Sequence, residues 1–318
     1  MKFNKIAKLF ATGIVAASLT ACSQGSSSEQ SSSSEVSANT EPVKIGVPSD
    51  ATNQARAISL LDEAGLIEVD EAAGYTPELK DITKTIYNIE IVPTSANMLV
   101  SALDDFGAAA INCTYAVPAG LDPNKEGLIT EVQEVGSDNP FINTIVARSE
   151  DKDNPTYKKI VDAFQSQLNA QYILAKNQGA VKPAFEYDEN DLPDDPEAFA
   201  KEIEGYQTTA DGSTTVTIGV CGSADGWKAV QKQLDDSGEN ILIKPVVFDA
   251  YNLPNEALNS GEIDLNSFQH KAYLQSEIDS QGYDLVPIGD TSSAPLTLFS
   301  RKVSSVDELK QLAGKKAE

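Results

Sequence analysis

The stretch Gly261-Glu-Ile-Asp-Leu-Asn-Ser-Phe268-Gln269-His270-Lys-Ala-Tyr273-Leu274 decides how this chain is read. It contains the only histidine of the sequence. Ile263 and Leu265 form a short apolar run of the kind that makes a buried strand, and a helical pattern opens near Tyr273 and runs to Ile278. Phe268, His270 and Tyr273 therefore crowd the turn beyond a strand, the place where an open α/β sheet binds ligands. Three rings in that position predict a pocket rather than a catalytic centre.

Outward from this stretch the pattern alternates between strand and helix. On its amino-terminal side Val216-Thr-Ile-Gly-Val220 reads as a strand, residues 227–234 as a helix, 241–248 as a strand and 253–258 as a short helix. On its carboxyl-terminal side residues 285–288 and 296–299 read as strands, and 306–312 as a closing helix. The same grammar starts earlier with Val43-Lys-Ile-Gly-Val47, followed by a helix with Ile58, Leu61 and Ala64 on one face. Ser49, Asp50, Thr52 and Asn53 offer cap oxygens to that helix, and Gly65 ends it. Strands are expected at 89–92, 108–111 and 141–146. Between the first two, a helix capped by Ser95 should turn Met98, Leu99, Ala102 and Leu103 inward. A longer helix after Pro155 presents Tyr157, Ile160, Val161, Phe164 and Leu168.

This is the order of a parallel sheet covered by helices, twice over. The expected fold class is α/β, with two lobes and a ligand cleft between them, as in periplasmic binding proteins. The expected division is a signal peptide at 1–21, a tether at 22–41, a first lobe at 42–185, an acidic linker at 186–214 and a second lobe at 215–318.

Composition narrows the function. The chain has 318 residues, 41% hydrophobic, enough for two cores. Its formal charge of −24 argues against nucleic acid and against docking onto anionic lipid. Lys2, Lys5 and Lys8 precede an apolar run too short to span a bilayer, and the run closes on Leu19-Thr20-Ala21-Cys22. That is the order of a bacterial lipoprotein signal, in which Cys22 is lipidated and holds the protein at the extracytoplasmic face of the cell membrane. The serine-rich residues 23–40 cannot repay the entropy of ordering and read as a flexible tether.

Cys113 and Cys221 end apolar runs and read as buried free thiols, a disulfide being the alternative. One histidine and no C-x-x-C leave no zinc site, and a calcium loop at Asp188 would put Pro193 where an EF-hand needs glycine, so neither a metal nor a cofactor is expected. The glycine motifs of nucleotide-binding folds and the G-x-S-x-G elbow are missing, and nothing acidic is aimed at His270, so the chain does not read as an enzyme.

Arg56 lies in the first turn of its helix, where its planar fork suits a carboxylate, although Asp62 or Glu63 could equally take it. Asn112 and Asn143 border apolar runs and suit either a ligand's polar end or a turn. Tyr251, Phe268, Tyr273 and Trp227 suit either an apolar slot or an ordinary core.

Five stretches together carry a family likeness: the opening stretch, Phe248-Asp-Ala-Tyr251-Asn-Leu-Pro-Asn255-Glu-Ala-Leu258, Val47-Pro-Ser-Asp50-Ala-Thr-Asn53-Gln-Ala-Arg56-Ala, Ala110-Ile-Asn112-Cys-Thr-Tyr115-Ala and Asn139-Pro-Phe-Ile-Asn143. The chain resembles the methionine-binding lipoproteins, the substrate-binding proteins of methionine ABC importers. The resemblance implies a monomer that captures L-methionine or a close relative and delivers it to a permease and its ATPase. It implies that Arg56 takes the ligand carboxylate, that Asn112 and Asn143 hold the polar end, and that Tyr251, Phe268, His270 and Tyr273 enclose the side chain. Trp227 stands where relatives usually carry a proline-containing stretch with a histidine.

Relative to that family the lobe order is reversed. The family's usual ending, Gly179-Ala-Val-Lys-Pro-Ala-Phe185, lies mid-chain, so the sequence resembles a circular permutation. Such a chain should bring Lys315 beside Pro42. The alternatives are a surface lipoprotein with an adhesive or structural role, or a binding protein for another amino acid or a small peptide.

Overall fold

The computed structural model describes residues 41–316, apart from 133, 134 and 137. Cys22, the signal peptide and nearly all of the tether lie outside the described residues. No described helix is long and apolar enough to cross a membrane.

The chain begins with β1 (Val43–Pro48), α1 (Ala51–Glu63), a ribbon of β2 (Ile67–Val69) and β3 (Ile82–Thr85), β4 (Ile89–Thr94) and β5 (Ala108–Asn112). The short helices α2 (Cys113–Ala116) and α3 (Pro123–Glu126) lead to β6 (Gly127–Thr130) and, after a crossing, to β7 (Ile142–Arg148). Next come α4 (Pro155–Phe164), α5 (Gln167–Lys176), β8 (Lys182–Pro183), α6 (Pro196–Glu204), β9 (Thr214–Cys221) and α7 (Trp227–Asp236). The remainder is β10 (Ile241–Phe248), α8 (Pro254–Ser260), β11 (Leu265–His270), α9 (Lys271–Gln281), β12 (Leu285–Ser293), β13 (Leu296–Phe299) and α10 (Val306–Ala313).

Among the described residues these strands form a five-stranded sheet, β4-β1-β5-β13-β6, and a six-stranded sheet, β10-β9-β11-β7-β12-β8. Each begins as parallel strands and ends with antiparallel ones. β5 is buried along its whole length because helices cover both faces of its sheet, which explains its unbroken Ala-Ala-Ala-Ile run. α1 starts where the Asp50 carboxylate accepts the Asn53 N–H at 2.9 Å. It buries Asn53, Ala55, Arg56, Ala57, Ile58, Leu60 and Leu61, which leaves only a narrow face to solvent.

The sheets do not divide the chain where composition suggests. β7, inside the expected first lobe, pairs with β11 and β12 in the six-stranded sheet. β13, inside the expected second lobe, lies between β5 and β6 in the five-stranded one. The lobes are thus joined by residues 131–141 and by Ala294 with Pro295, not by the acidic stretch. Alternation of apolar residues identifies a strand but carries no information about which sheet it joins.

The acidic stretch also holds α6. Asp195 caps it, Pro196 occupies its first position, and Ala200 and Ile203 pack with Tyr172 and Ala229 in one apolar cluster. The expected helix after Ser95 is instead two short 3-10 turns, with Met98 52% exposed. There the Ser95 hydroxyl donates to Asn97 Oδ1 rather than capping the backbone.

The early and late segments meet at Asn88. Its N–H donates to the Gly314 carbonyl and its own carbonyl accepts the Val43 N–H, each at 2.9 Å, while Tyr87 and Lys315 form an antiparallel bridge. Lys315 therefore lies one strand away from the start of β1, as the permuted order requires.

Candidate functional site

β11 ends at His270, which begins α9 two residues earlier than the apolar pattern indicates. The reason is the imidazole itself. Nδ1 accepts the Tyr273 N–H at 3.1 Å and so caps the helix. A ring nitrogen that accepts leaves the proton on Nε2, and Nε2 donates to Asn53 Oδ1 at 3.3 Å across the gap between lobes. His270 is 5% exposed, and burial, then the Arg56 charge, holds it well below its ordinary pKa, so it is neutral at physiological pH.

Asn53 is the centre of this arrangement. Its Oδ1 accepts from Arg56 Nη1 at 3.1 Å, from Asn112 Nδ2 at 2.9 Å and from His270. Because Arg56 can only donate, the orientation of the Asn53 amide is fixed, and that of Asn112 follows. Asn112 Oδ1 faces away from this bond and is buried with no hydrogen-bond partner. Asn143 sits opposite His270 in the β7/β11 register, and its amide bonds to no other described residue.

The aromatic residues gather beside the polar centre. Tyr251 lies 5.9 Å from Phe268 and 6.0 Å from Tyr273, ring to ring, and Phe268 lies 6.0 Å from Tyr273. Tyr115 of the other lobe stacks on Tyr251 at 5.1 Å, and its hydroxyl donates to the Asp249 carbonyl at 3.2 Å. Burial raises the hydroxyl pKa of Tyr251 far above its ordinary value, so this box carries no charge of its own. Under β11 the amides of Asn255, Asn266 and Gln269 bond one another at 2.6 to 3.0 Å, which holds the strand in place.

Arg56, Asn112, Asn143, Tyr251, Phe268, His270 and Tyr273 thus line one small pocket, from both lobes. Two expectations need correction. Arg56 pairs with neither Asp62 nor Glu63, and its fork is not open to a ligand. Nε and Nη2 grip the Glu131 carboxylate, the former at 3.1 Å, and Nη2 also donates to the Ala294 carbonyl at 3.0 Å. The guanidinium is 5.2 Å from the centroid of the Phe141 ring. One of its five N–H groups is left without a partner among the described residues.

Trp227 does not wall the aromatic box. It lies against Phe164 at 5.5 Å and lines a neighbouring chamber of about 410 Å³, which shares Cys113, Thr114, Asn143, Phe268 and Ala294 with the smaller pocket. Gly222, at positive φ, lets the backbone of one lobe pass close to Thr114 of the other. A β-carbon there would meet the Thr114 carbonyl at 2.2 Å. Cys113 and Cys221 are buried free thiols on its wall, each pushed up to about 12 by burial.

Glu131 and Phe141 escape sequence reasoning because each is a single residue on a crossing segment. Asn53 is visible only as a helix cap. A buried arginine does imply an acidic partner somewhere, and that is the one signal that points to Glu131.

Two α/β lobes, two crossings and a buried polar centre shared across the gap define a two-lobed ligand-binding protein. The profile of the NlpA lipoprotein family matches residues 20–185 and 216–315, and the chain belongs to that family. It is 38% identical over 144 residues to the D-methionine-binding lipoprotein MetQ of Escherichia coli K12, covering 44% of this chain and 51% of that protein. It is 36% identical over 137 residues to outer membrane lipoprotein 2 of Mannheimia haemolytica, covering 43% and 48%. The chain matches about half the length of these curated relatives. Among solved structures, a methionine-binding protein MetQ is 35% identical with a TM-score of 0.41, covering 44% of this chain and 56% of that one. A nutrient-binding protein from Burkholderia cenocepacia, bound to methionine, is 33% identical with a TM-score of 0.40, covering 44% and 58%.

Proposed function

We propose that the chain is a lipid-anchored substrate-binding protein that captures methionine, or a close relative, outside the cell membrane and presents it to an ABC permease and its ATPase. The observation that carries the reading is Asn112 Oδ1, an acceptor buried without a partner in the interlobe pocket. An unpaired buried acceptor costs about 1–3 kcal/mol, and a ligand ammonium would recover it. The remaining N–H of Arg56 and the Asn143 amide would take the carboxylate. The box of Tyr115, Tyr251, Phe268 and Tyr273 would enclose the thioether, since sulfur packs well against ring edges.

Glu131 neutralises Arg56, so the site suits a ligand with no net charge, as a zwitterion has. Ligand bridging residues of both lobes favours the closed state by contacts the open state lacks, and closure is the form a permease would read. The names of the relatives and the methionine in the Burkholderia protein support the ligand class.

The test is calorimetric titration and thermal denaturation of ligand-stripped protein with L- and D-methionine. At a hundredfold excess over Kd, binding should stabilise the protein by about 2.7 kcal/mol. No heat and no thermal shift with either isomer would overturn the proposal.

A further inference from the structure

The two crossings leave the sheets on one side. Residues 131–141 join β6 to β7, and Ala294 with Pro295 join β12 to β13, whereas β4 and β10 form the opposite edges of the two sheets. A rotation about the crossings therefore moves the loops after β4 and β10 furthest. A bond between lobes at that edge is the first that opening would break.

Such a bond is present. Ser49 and Asp50 after β1, residues 95–97 after β4 and residues 250–252 after β10 surround a recess of about 240 Å³, together with Tyr115 and Tyr273. There the Tyr115 hydroxyl donates to the carbonyl of Asp249, the first residue after β10, at 3.2 Å, and its ring lies 5.1 Å from that of Tyr251. Burial, then the Cys221 thiol, raises the Tyr115 hydroxyl far above its ordinary pKa, so it keeps its proton and donates throughout the physiological range. Tyr115 belongs to α2, which starts directly from Asn112. One turn of helix thus joins the free acceptor of the pocket to the bond at its mouth. A different bond between lobes lies by the crossings: Lys125 Nζ, just before β6, donates to Gln178 Oε1, just before β8, at 2.6 Å. Close to the axis, it is stretched less by the same rotation.

We infer that Tyr115 is the latch of the cleft: its hydroxyl holds the Asp249 carbonyl only while the lobes are shut, and this bond sets how long a captured ligand stays. The inference rests on the functional reading above. Tyr115 is a positioning residue in this role, because its hydroxyl acts on the loop after β10 and not on the ligand. A contact made only in the shut state favours that state, and it slows release without changing encounter.

Stopped-flow fluorescence of ligand-stripped protein with methionine gives association and dissociation rates separately. Tyr115→Phe removes the hydroxyl and keeps the ring, so methionine should dissociate about fivefold faster, as expected for one hydrogen bond, while association stays within about twofold. Lys125→Ala, which removes the bond beside the crossings, should leave both rates within about twofold of wild type. Thermal melts of the ligand-free variants report that they are folded. A Tyr115→Phe dissociation rate within about 1.5-fold of wild type would overturn the latch alone. So would a loss that falls on association, or an equally large rise in Lys125→Ala. Failure of wild-type protein to bind methionine would instead overturn the functional reading, and with it the latch as a control of release.

Discussion

Replacing Glu131 by glutamine probes the electrostatic centre of the molecule with almost no change in shape. The carboxylate accepts from Arg56 Nε and Nη2 and from the Leu296 N–H at 2.9 Å. Glutamine keeps one acceptor and turns an NH2 toward a donor. Hydrogen bonds to charged groups contribute roughly 1.5–3 kcal/mol and neutral ones about half of that. Arg56 is 5% exposed and Glu131 25%, so solvent screens part of the loss, and a destabilisation of about 2–4 kcal/mol follows. At about 2–4 °C per kcal/mol, that lowers Tm by about 4–16 °C.

The same change leaves a net positive charge in the cleft. Two unit charges about 4 Å apart interact by about 4 kcal/mol at an effective dielectric near 20, and partial exposure reduces that figure. The ratio of affinities for an acidic amino acid over methionine should therefore rise tenfold or more, equivalent to about 1.4 kcal/mol. Differential scanning calorimetry and titration with methionine and glutamate read both effects. A Tm within 1 °C of wild type together with an unchanged affinity ratio would show that Glu131 neither holds Arg56 nor sets the charge preference.

Other consequences are open to simpler tests. His270 is buried with its pKa depressed, so the unfolded chain binds its proton more readily; stability should be complete above about pH 6.5 and fall by up to about 1.4 kcal/mol per unit as pH drops below it. His270→Asn, which can still cap α9, should flatten that slope in urea melts between pH 7 and 5.5, and an unchanged slope would contradict the assignment. Ile203 is 1% exposed, so Ile203→Ala should cost about 2–4 kcal/mol in denaturant melts, whereas a loss below 0.5 kcal/mol would mean that α6 is only a tether. With thiol pKa values of about 12, Cys113 and Cys221 carry roughly a ten-thousandth of their sulfur as thiolate at pH 8. In Cys22→Ser protein a disulfide-exchange reagent should label them only after denaturant is added, and rapid labelling of native protein would refute their burial.

Much of the site is legible in the sequence because local pattern places it. Asp50 and Asn53 announce the start of α1, and Asn112 follows an unbroken apolar run; Phe268, His270 and Tyr273 do gather, although on the end of β11 and the start of α9 rather than in a turn beyond a strand at Ile263 and Leu265. What is not legible depends on partners far away in the chain. Arg56 is 75 residues from Glu131, and nothing near either residue names the other. β7 and β13 have ordinary strand patterns, yet each joins the sheet of the opposite half, because pairing is decided by register between distant segments. α6 is hidden among prolines and carboxylates whose average polarity masks the few apolar residues that dock it. Trp227 lines a different chamber because its position at the start of α7 turns it toward Phe164.

The order of segments also bears on how the chain reaches its folded state. The six-stranded lobe is one uninterrupted run, from β7 to β12, and has every strand it needs before β13 is made. The five-stranded lobe is split, and β13, which lies between β5 and β6, comes from the far end of the chain. As the polypeptide emerges amino-terminus first, β1, β4, β5 and β6 must wait with an open seam until the inner lobe has emerged. An export or folding helper that shields exposed strand edges would therefore act on the first ninety or so residues after the tether, and its hold would end when β13 fills the seam.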